Sequence, residues 1–162
     1  MEIILKNGLI ALFDNEDFEK LIKRKRKWVV NSSGYVVWKT TVKRKIYCLY
    51  MHRVVMGLGD FKDDNRMIDH VNGNKLDNRK INLRLATIQQ NIMSRGKIKG
   101  GSLYKGVSWD KQSHKWVSQI CYMKKRIKLG HFIRQKDAAL RYNIEAKKLF
   151  KGFAFINIIK NN

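Results

Sequence analysis

Proline is missing from all 162 residues, and only two cysteines and four histidines are present. Without proline, glycine and asparagine must carry the turns. Cys48 and Cys121 sit inside β-like runs with no CxxC spacing. That argues against a disulfide or zinc framework and leaves them as buried thiols in a reduced cell interior. No stretch approaches the roughly 18 consecutive apolar residues of a membrane span, and the N-terminal residues lack a signal-peptide pattern. There is no GxSxG, no phosphate-binding glycine loop and no Cys/His pair at a useful spacing, so hydrolase or NTPase chemistry of those kinds lacks support. Acidic residues are also scarce: 13 stand against 35 Lys and Arg, a net charge of +22.

An excess of that size destabilises a compact chain through self-repulsion, so a polyanionic partner is expected. Nucleic acid fits best. An anionic membrane fits less well, because no long basic amphipathic helix with an aromatic face is present. The charge is uneven. Residues 92–162 hold 17 basic and three acidic residues, a net of +14, whereas residues 41–91 hold ten and five. The C-terminal part is therefore the expected grip on nucleic acid. The middle, richer in carboxylates, is where a metal would bind.

Along the chain, residues 15–24 predict a short helix capped by Asn15, with KRKRK at 23–27 as its solvated exit. WVVN, GYVVWKTTV and KIYCLYM predict a small sheet, turned at Lys43–Lys45, and HRVVMG predicts a short helix. Residues 95–103 read as a glycine-rich basic linker. Beyond it, residues 104–109, 115–122 and 126–132 predict three strands. Residues 135–150 predict a helix with Ala139, Tyr142, Ala146 and Leu149 on one face.

The stretch IDHVNGNKLDNRKINLRLATIQQN, residues 68–91, concentrates the chemistry. MIDHV predicts a strand, NGNKLDNRKI a turn-rich loop, and NLRLAT a second strand with Leu83 and Leu85 facing a core. Thr87 and Gln90 form a capping box that starts a helix, with Ile88 and Ile92 packing inward. A histidine suits proton transfer near neutral pH. A carboxylate with an amide oxygen favours Mg²⁺ or Mn²⁺ over zinc.

This order, with Asp69-His70, then Asn82 twelve residues on and Asn91 nine further, resembles the HNH nuclease family and its ββα unit with one divalent metal. The surrounding DHVNGNKLDNR, NLRLAT and QN are similar to endonucleases of phages and mobile introns. IALFDNEDFEKL, GYVVW and MHRVV resemble the region preceding the motif there. The resemblance implies Asp69 and Asn91 as ligands of one Mg²⁺ or Mn²⁺, with His70 as general base. Asn82 would complete the catalytic set by orienting His70 or by tying down the loop. Asp69 and His70 reach one site only if the strand ends or distorts there, since adjacent strand residues face opposite ways. His52 is assigned to packing or a backbone hydrogen bond, with a catalytic role as the alternative; His114 is assigned to a hairpin loop open to phosphate contact and His131 to strand packing. Asp60, Asp63 and Asp64 are assigned to a solvated loop.

The C-terminal segment, from YKGVSWDKQSHKWVSQICY through DAALRYNIEAKKLF to AFIN, resembles an AP2 DNA-binding domain, whose sheet enters the major groove. That implies a DNA face drawing on Lys105, Ser108, Trp109, Lys115, Trp116, Ser118, Gln119, Arg126 and Lys128. For the tryptophans, core packing competes with base contact.

The expectation is therefore an α+β chain. Residues 1–94 form an HNH domain whose ββα core is about 66–95, and 95–103 form a linker. Residues 104–160 form an AP2-like domain of three strands and a helix. Together they would make a homing-type, metal-dependent endonuclease that nicks or cuts double-stranded DNA. It would act as a monomer in the cytoplasm of a bacterial or phage-infected cell, with no membrane and no obligate protein partner. A non-catalytic AP2-type regulator with a vestigial HNH unit, or an RNA-binding basic protein, are the rival readings.

Overall fold

The computed structural model describes residues 1–22, 27–58, 66–96 and 101–159. Most of the basic run at 23–27, the loop with Asp60, Asp63 and Asp64, and linker residues 97–100 lie outside them. The chain divides into two compact units, Met1–Asn91 and Ile92–Asn162. Among the described residues no helix is long and apolar enough to cross a membrane.

The first unit opens with a hairpin the sequence did not announce, β1 (Glu2–Ile4) against β2 (Ile10–Leu12). Three-residue strands are too short for alternation to register. A 3-10 turn over Asn15–Asp17 then leads into α1 (Phe18–Ile22). The residue before that turn is Asp14, so Asn15 is not the cap expected of it. β3 (Val29–Val30), β4 (Val36–Val42) and β5 (Lys45–Tyr50) form an antiparallel sheet. Its tight turn uses Lys43 and Arg44 at φ 47° and 62°, the left-handed pair that matches the twist of a two-residue hairpin. Next come α2 (Met51–Val55), β6 (Met67–His70), β7 (Leu83–Ala86) and α3 (Ile88–Ser94). One core joins the pieces up to β7, with Ala11, Phe13, Leu21, Val36, Met51 and Ile68 all buried, and α3 runs across the division between the two units.

β2 also supports the loop between β6 and β7. Leu12 donates its N–H to the Leu76 carbonyl at 2.8 Å and accepts from the Asn78 N–H at 2.8 Å. The Lys80 N–H donates to Asp14 Oδ2 at 2.7 Å. Residues 76–80 thus act as an extra edge to the N-terminal hairpin.

The second unit holds β8 (Val107–Asp110), β9 (Lys115–Tyr122) and β10 (Lys125–Phe132), with β9 central and all pairs antiparallel. Met123 and Lys124, at φ 47° and 63°, repeat the left-handed hairpin turn. α4 (Gln135–Phe150) lies on this sheet through Ala138, Ala139, Tyr142, Ala146 and Phe150. The expected small alanines do bring helix and sheet close; Leu149 is only half-buried. The chain after α4 is stitched back by amides. Asn143 Nδ2 donates to the Asn157 carbonyl at 2.9 Å and its Oδ1 accepts from the Asn157 N–H at 2.8 Å. The Asn157 side chain in turn binds the backbone of Lys105 in both directions.

Gly106 is a position where no side chain fits. It has φ +74°, and a Cβ there would meet Tyr142 ring carbons at 2.1 and 2.4 Å and the Gln119 carbonyl oxygen at 2.6 Å. Gly106→Ala is expected to lower the stability of this unit by about 3 kcal/mol through overpacking and a disfavoured φ. Urea unfolding followed by tryptophan fluorescence checks it; a midpoint equal to wild type would refute the close packing.

Candidate active site and DNA face

β6 presents Asp69 and His70 side by side, both buried. Its register with β7 pairs Asp69 with Arg84 and His70 with Leu83. The pleat therefore turns the two side chains to different neighbours. Asp69 Oδ2 accepts from Arg84 Nε at 2.9 Å and from Nη2 at 2.6 Å. His70 is the last residue of β6, and a turn closes at once, with the Gly73 N–H donating to the His70 carbonyl at 2.9 Å. Both residues are still paired within the ladder, so the strand ends just after His70 and not between the two.

His70 enters a cluster of rings. His52, on α2, meets it edge to face, with centroids 5.3 Å apart and planes at 83°. Tyr35 lies 6.0 Å from His70 and 5.3 Å from His52, and Tyr50 lies 5.4 Å from His52. The Lys75 ammonium sits 4.3 Å over the Tyr35 ring and donates to the Ser33 carbonyl, fixing the loop against the β3–β4 hairpin. His70 Nε2 and His52 Nδ1 are buried with no hydrogen-bond partner. Burial pushes the His70 imidazole below its ordinary pKa, against the Asn78 side chain and the Asp69 and Asp77 carboxylates, which favour the cation. Burial, then the neighbouring His70 and Arg53, bring His52 down to about 3.

The loop between the strands is organised by its own amides. Asn82 Oδ1 accepts from the Asn72 N–H at 2.9 Å and Asn82 Nδ2 donates to the Asp77 carbonyl at 2.8 Å, so one buried side chain spans the loop. Asn72 and Asn74 each accept from an N–H two residues on, the local turn that makes asparagine a loop residue. Asp77 is held by Arg79 at 2.8 Å. The guanidinium of Arg79, ahead of burial, lowers its carboxyl below the usual range.

α3 starts at the expected capping box. The Thr87 N–H donates to Gln90 Oε1 at 2.8 Å and the Gln90 N–H to Thr87 Oγ1 at 3.1 Å. Its inward residue is Asn91, which is buried; Ile88 and Ile92, expected inside, are 69% and 56% exposed. Leu83 is buried, while Leu85 at the rim is 44% exposed. The polar residue rather than the isoleucines faces the protein.

In the second unit, the face of the sheet away from α4 carries Ser108, Lys115, Gln119, Arg126 and Lys128, by their alternation and register. Three residues expected on the DNA face lie on the other side. Ser118 is fully buried. Trp109 and Trp116 pair at 5.1 Å, and Trp116 packs toward the helix core with Val107 and Ala138. The reason is parity: Val107, Trp109, Trp116 and Ser118 share one face, which α4 covers over Val107 and Trp116 while Trp109 stays 47% exposed. Lys105 is also spoken for, since its ammonium donates to the Met93 carbonyl at 2.8 Å and the Arg95 carbonyl at 2.6 Å. Burial brings its pKa down to about 8. His131, exposed, lies 3.6 Å from Asp110 rather than in a packed core. Cys121 is exposed and Cys48 half-buried, so neither is the buried thiol expected.

A family model described as HNH endonuclease matches residues 49–93, the span from β5 through α3 that holds Asp69, His70, Asn82 and Asn91. A relative in Acanthamoeba polyphaga mimivirus, named an uncharacterized HNH endonuclease, is 34% identical over 148 residues, which is 85% of this chain and 70% of its own. The chain belongs to the HNH endonuclease family. No solved structure matches it significantly.

An HNH endonuclease is a hydrolase that breaks phosphodiester bonds within DNA, and this one has an imidazole at the motif position. Of the two residues around it, Arg84 was not singled out by the sequence and His52 was weighed there chiefly as packing. Arg84 was legible once the strand register is known, because it stands opposite Asp69. His52 carries no local signal beyond being a histidine in an apolar run. Buried neutral histidines also give the HNH endonuclease a pH signature. The folded pKa of His52 lies below its unfolded value of 6.5, so the unfolded chain binds more protons between about pH 3 and 6.5. Stability is therefore full above pH 6.5 and is lost as pH falls through that window. From pH 7 to pH 5, His52 alone accounts for about 2 kcal/mol. Urea midpoints at the two pH values should differ accordingly, and His52→Phe should shrink the difference.

Proposed function

We propose that this HNH endonuclease is of the homing type and nicks or cuts double-stranded DNA by metal-assisted hydrolysis, while its second unit holds the duplex as an AP2-type module. The observation that carries the chemistry is the His70 imidazole: buried at a strand end, its pKa lowered by that burial, with Nε2 unpartnered. An imidazole in that state accepts a proton from an attacking water without first losing one of its own. The burial that lowers its pKa keeps it in this basic form at neutral pH. Asn82 keeps the loop after His70 closed by binding both ends of it. Arg84 fixes one oxygen of Asp69.

The donor chemistry fits a divalent ion. The reading is of a sparse site, one carboxylate and one carboxamide that a substrate phosphate would complete; among the described residues no group of three His, Cys, Asp or Glu is placed to hold a metal. Asp69 and Asn91 would hold Mg²⁺ or Mn²⁺, which when bound stabilises charge on the phosphate and the 3′ leaving oxygen. In the second unit, Lys115, Arg126 and Lys128 offer cations to phosphates or guanine edges and Gln119 an amide to adenine. A monomer with one such site nicks one strand per encounter.

Supercoiled plasmid incubated with protein stripped by EDTA should remain intact, and adding Mg²⁺ should convert it to open circles. Equal cleavage with and without the chelator would refute the metal-assisted reading.

A further inference from the structure

His52 lies outside the set Asp69, His70, Asn82 and Asn91, yet it makes the tightest ring contact with His70. We propose that His52 is a positioning residue: its ring, braced by Tyr35 and Tyr50, fixes the plane of the His70 imidazole. This inference rests on the role of His70 given above.

Four observations support it. The edge-to-face geometry, 5.3 Å and 83°, leaves His70 no free swing toward α2. His52 is itself held from behind by Tyr35 at 5.3 Å and Tyr50 at 5.4 Å, so the contact is one end of a braced stack. Tyr35 touches both imidazoles and is pinned by the Lys75 ammonium, which belongs to the loop that follows His70. Finally, His70 Nε2 has no hydrogen bond in the protein, which leaves the Asn78 side chain as the polar group that bonds the ring. An imidazole is ordinarily oriented through the partner of its second nitrogen or by packing. Packing is prominent here, and His52 and Tyr35 supply it. A general base misplaced by a fraction of an ångström loses rate while substrate affinity, set by distant phosphate contacts, stays.

The test is steady-state nicking of a plasmid substrate by the full chain, at a temperature where circular dichroism shows each variant folded. His52→Ala is expected to lower kcat about tenfold to a hundredfold with KM within twofold of wild type. His52→Phe, which restores a flat ring, should recover kcat to within about threefold. His52→Leu, which fills the volume without a ring face, should stay slow, and it carries the test if the alanine variant does not fold. A leucine variant as fast as wild type would overturn the proposal, as would a phenylalanine variant as slow as leucine, or a change confined to KM. His70→Ala is run alongside. If that variant nicks normally, the general-base role itself falls. The positioning claim is then judged by NMR of the His70 side chain, where His52→Leu should increase ring mobility and an unchanged ring would overturn it.

Discussion

Replacing His70 by alanine is expected to slow strand scission by about 10²–10⁴-fold, the span over which a positioned acid or base contributes. The substitution removes the one titratable side chain that couples a buried, unpartnered nitrogen to the motif strand. It leaves Asp69 held by Arg84 and the loop held by Asn82, since neither set of hydrogen bonds passes through the imidazole. Affinity for duplex DNA should therefore be unchanged within about twofold in a gel-shift titration. Open circles forming at the wild-type rate would remove His70 from the chemistry. Loss of binding together with cleavage would point instead to collapse of the loop, a distinction that the two assays make together.

The second large effect concerns the helix-free face of the C-terminal sheet. Exchanging Lys115, Arg126 and Lys128 together for glutamine removes three exposed cations from one face. Each phosphate contact contributes about 0.9 to the slope of log affinity against log salt. The triple variant is expected to bind duplex DNA more weakly at 0.1 M salt and to flatten that slope by about 2 to 3. A slope equal to wild type would move the grip elsewhere in a chain that carries +22. The exchange leaves Trp109, Trp116 and Ser118 in place, so it tests one face alone.

Elements with a strong local code were legible. The Thr87–Gln90 capping box forms as two reciprocal hydrogen bonds, and the alternating runs after residue 104 form the expected strands and helix. The turns at Lys43–Arg44 and Met123–Lys124 also fall between the runs, although neither contains glycine. What the sequence withheld is sidedness. Ser118 and Lys115 both sit in β9, and only the register with Val107 and Asp110 shows that α4 covers the first and not the second. Ile88 and Ile92 mark a helical face, but hydrophobicity does not say which face meets the protein when a buried asparagine takes the inward position. At the motif, the resemblance to the HNH family singled out Asp69, His70, Asn82 and Asn91. It was silent about Arg84 and the ring stack, because both arise from contacts between segments 15 or more residues apart.

The backbone bridge from Leu12 to Leu76 and Asn78 ties the fate of two distant segments together. Solvent cannot reach those amides without also prying away the opening hairpin, so both should fray as a single cooperative piece. A perturbation planted in the first dozen residues would then be felt in the loop that follows His70.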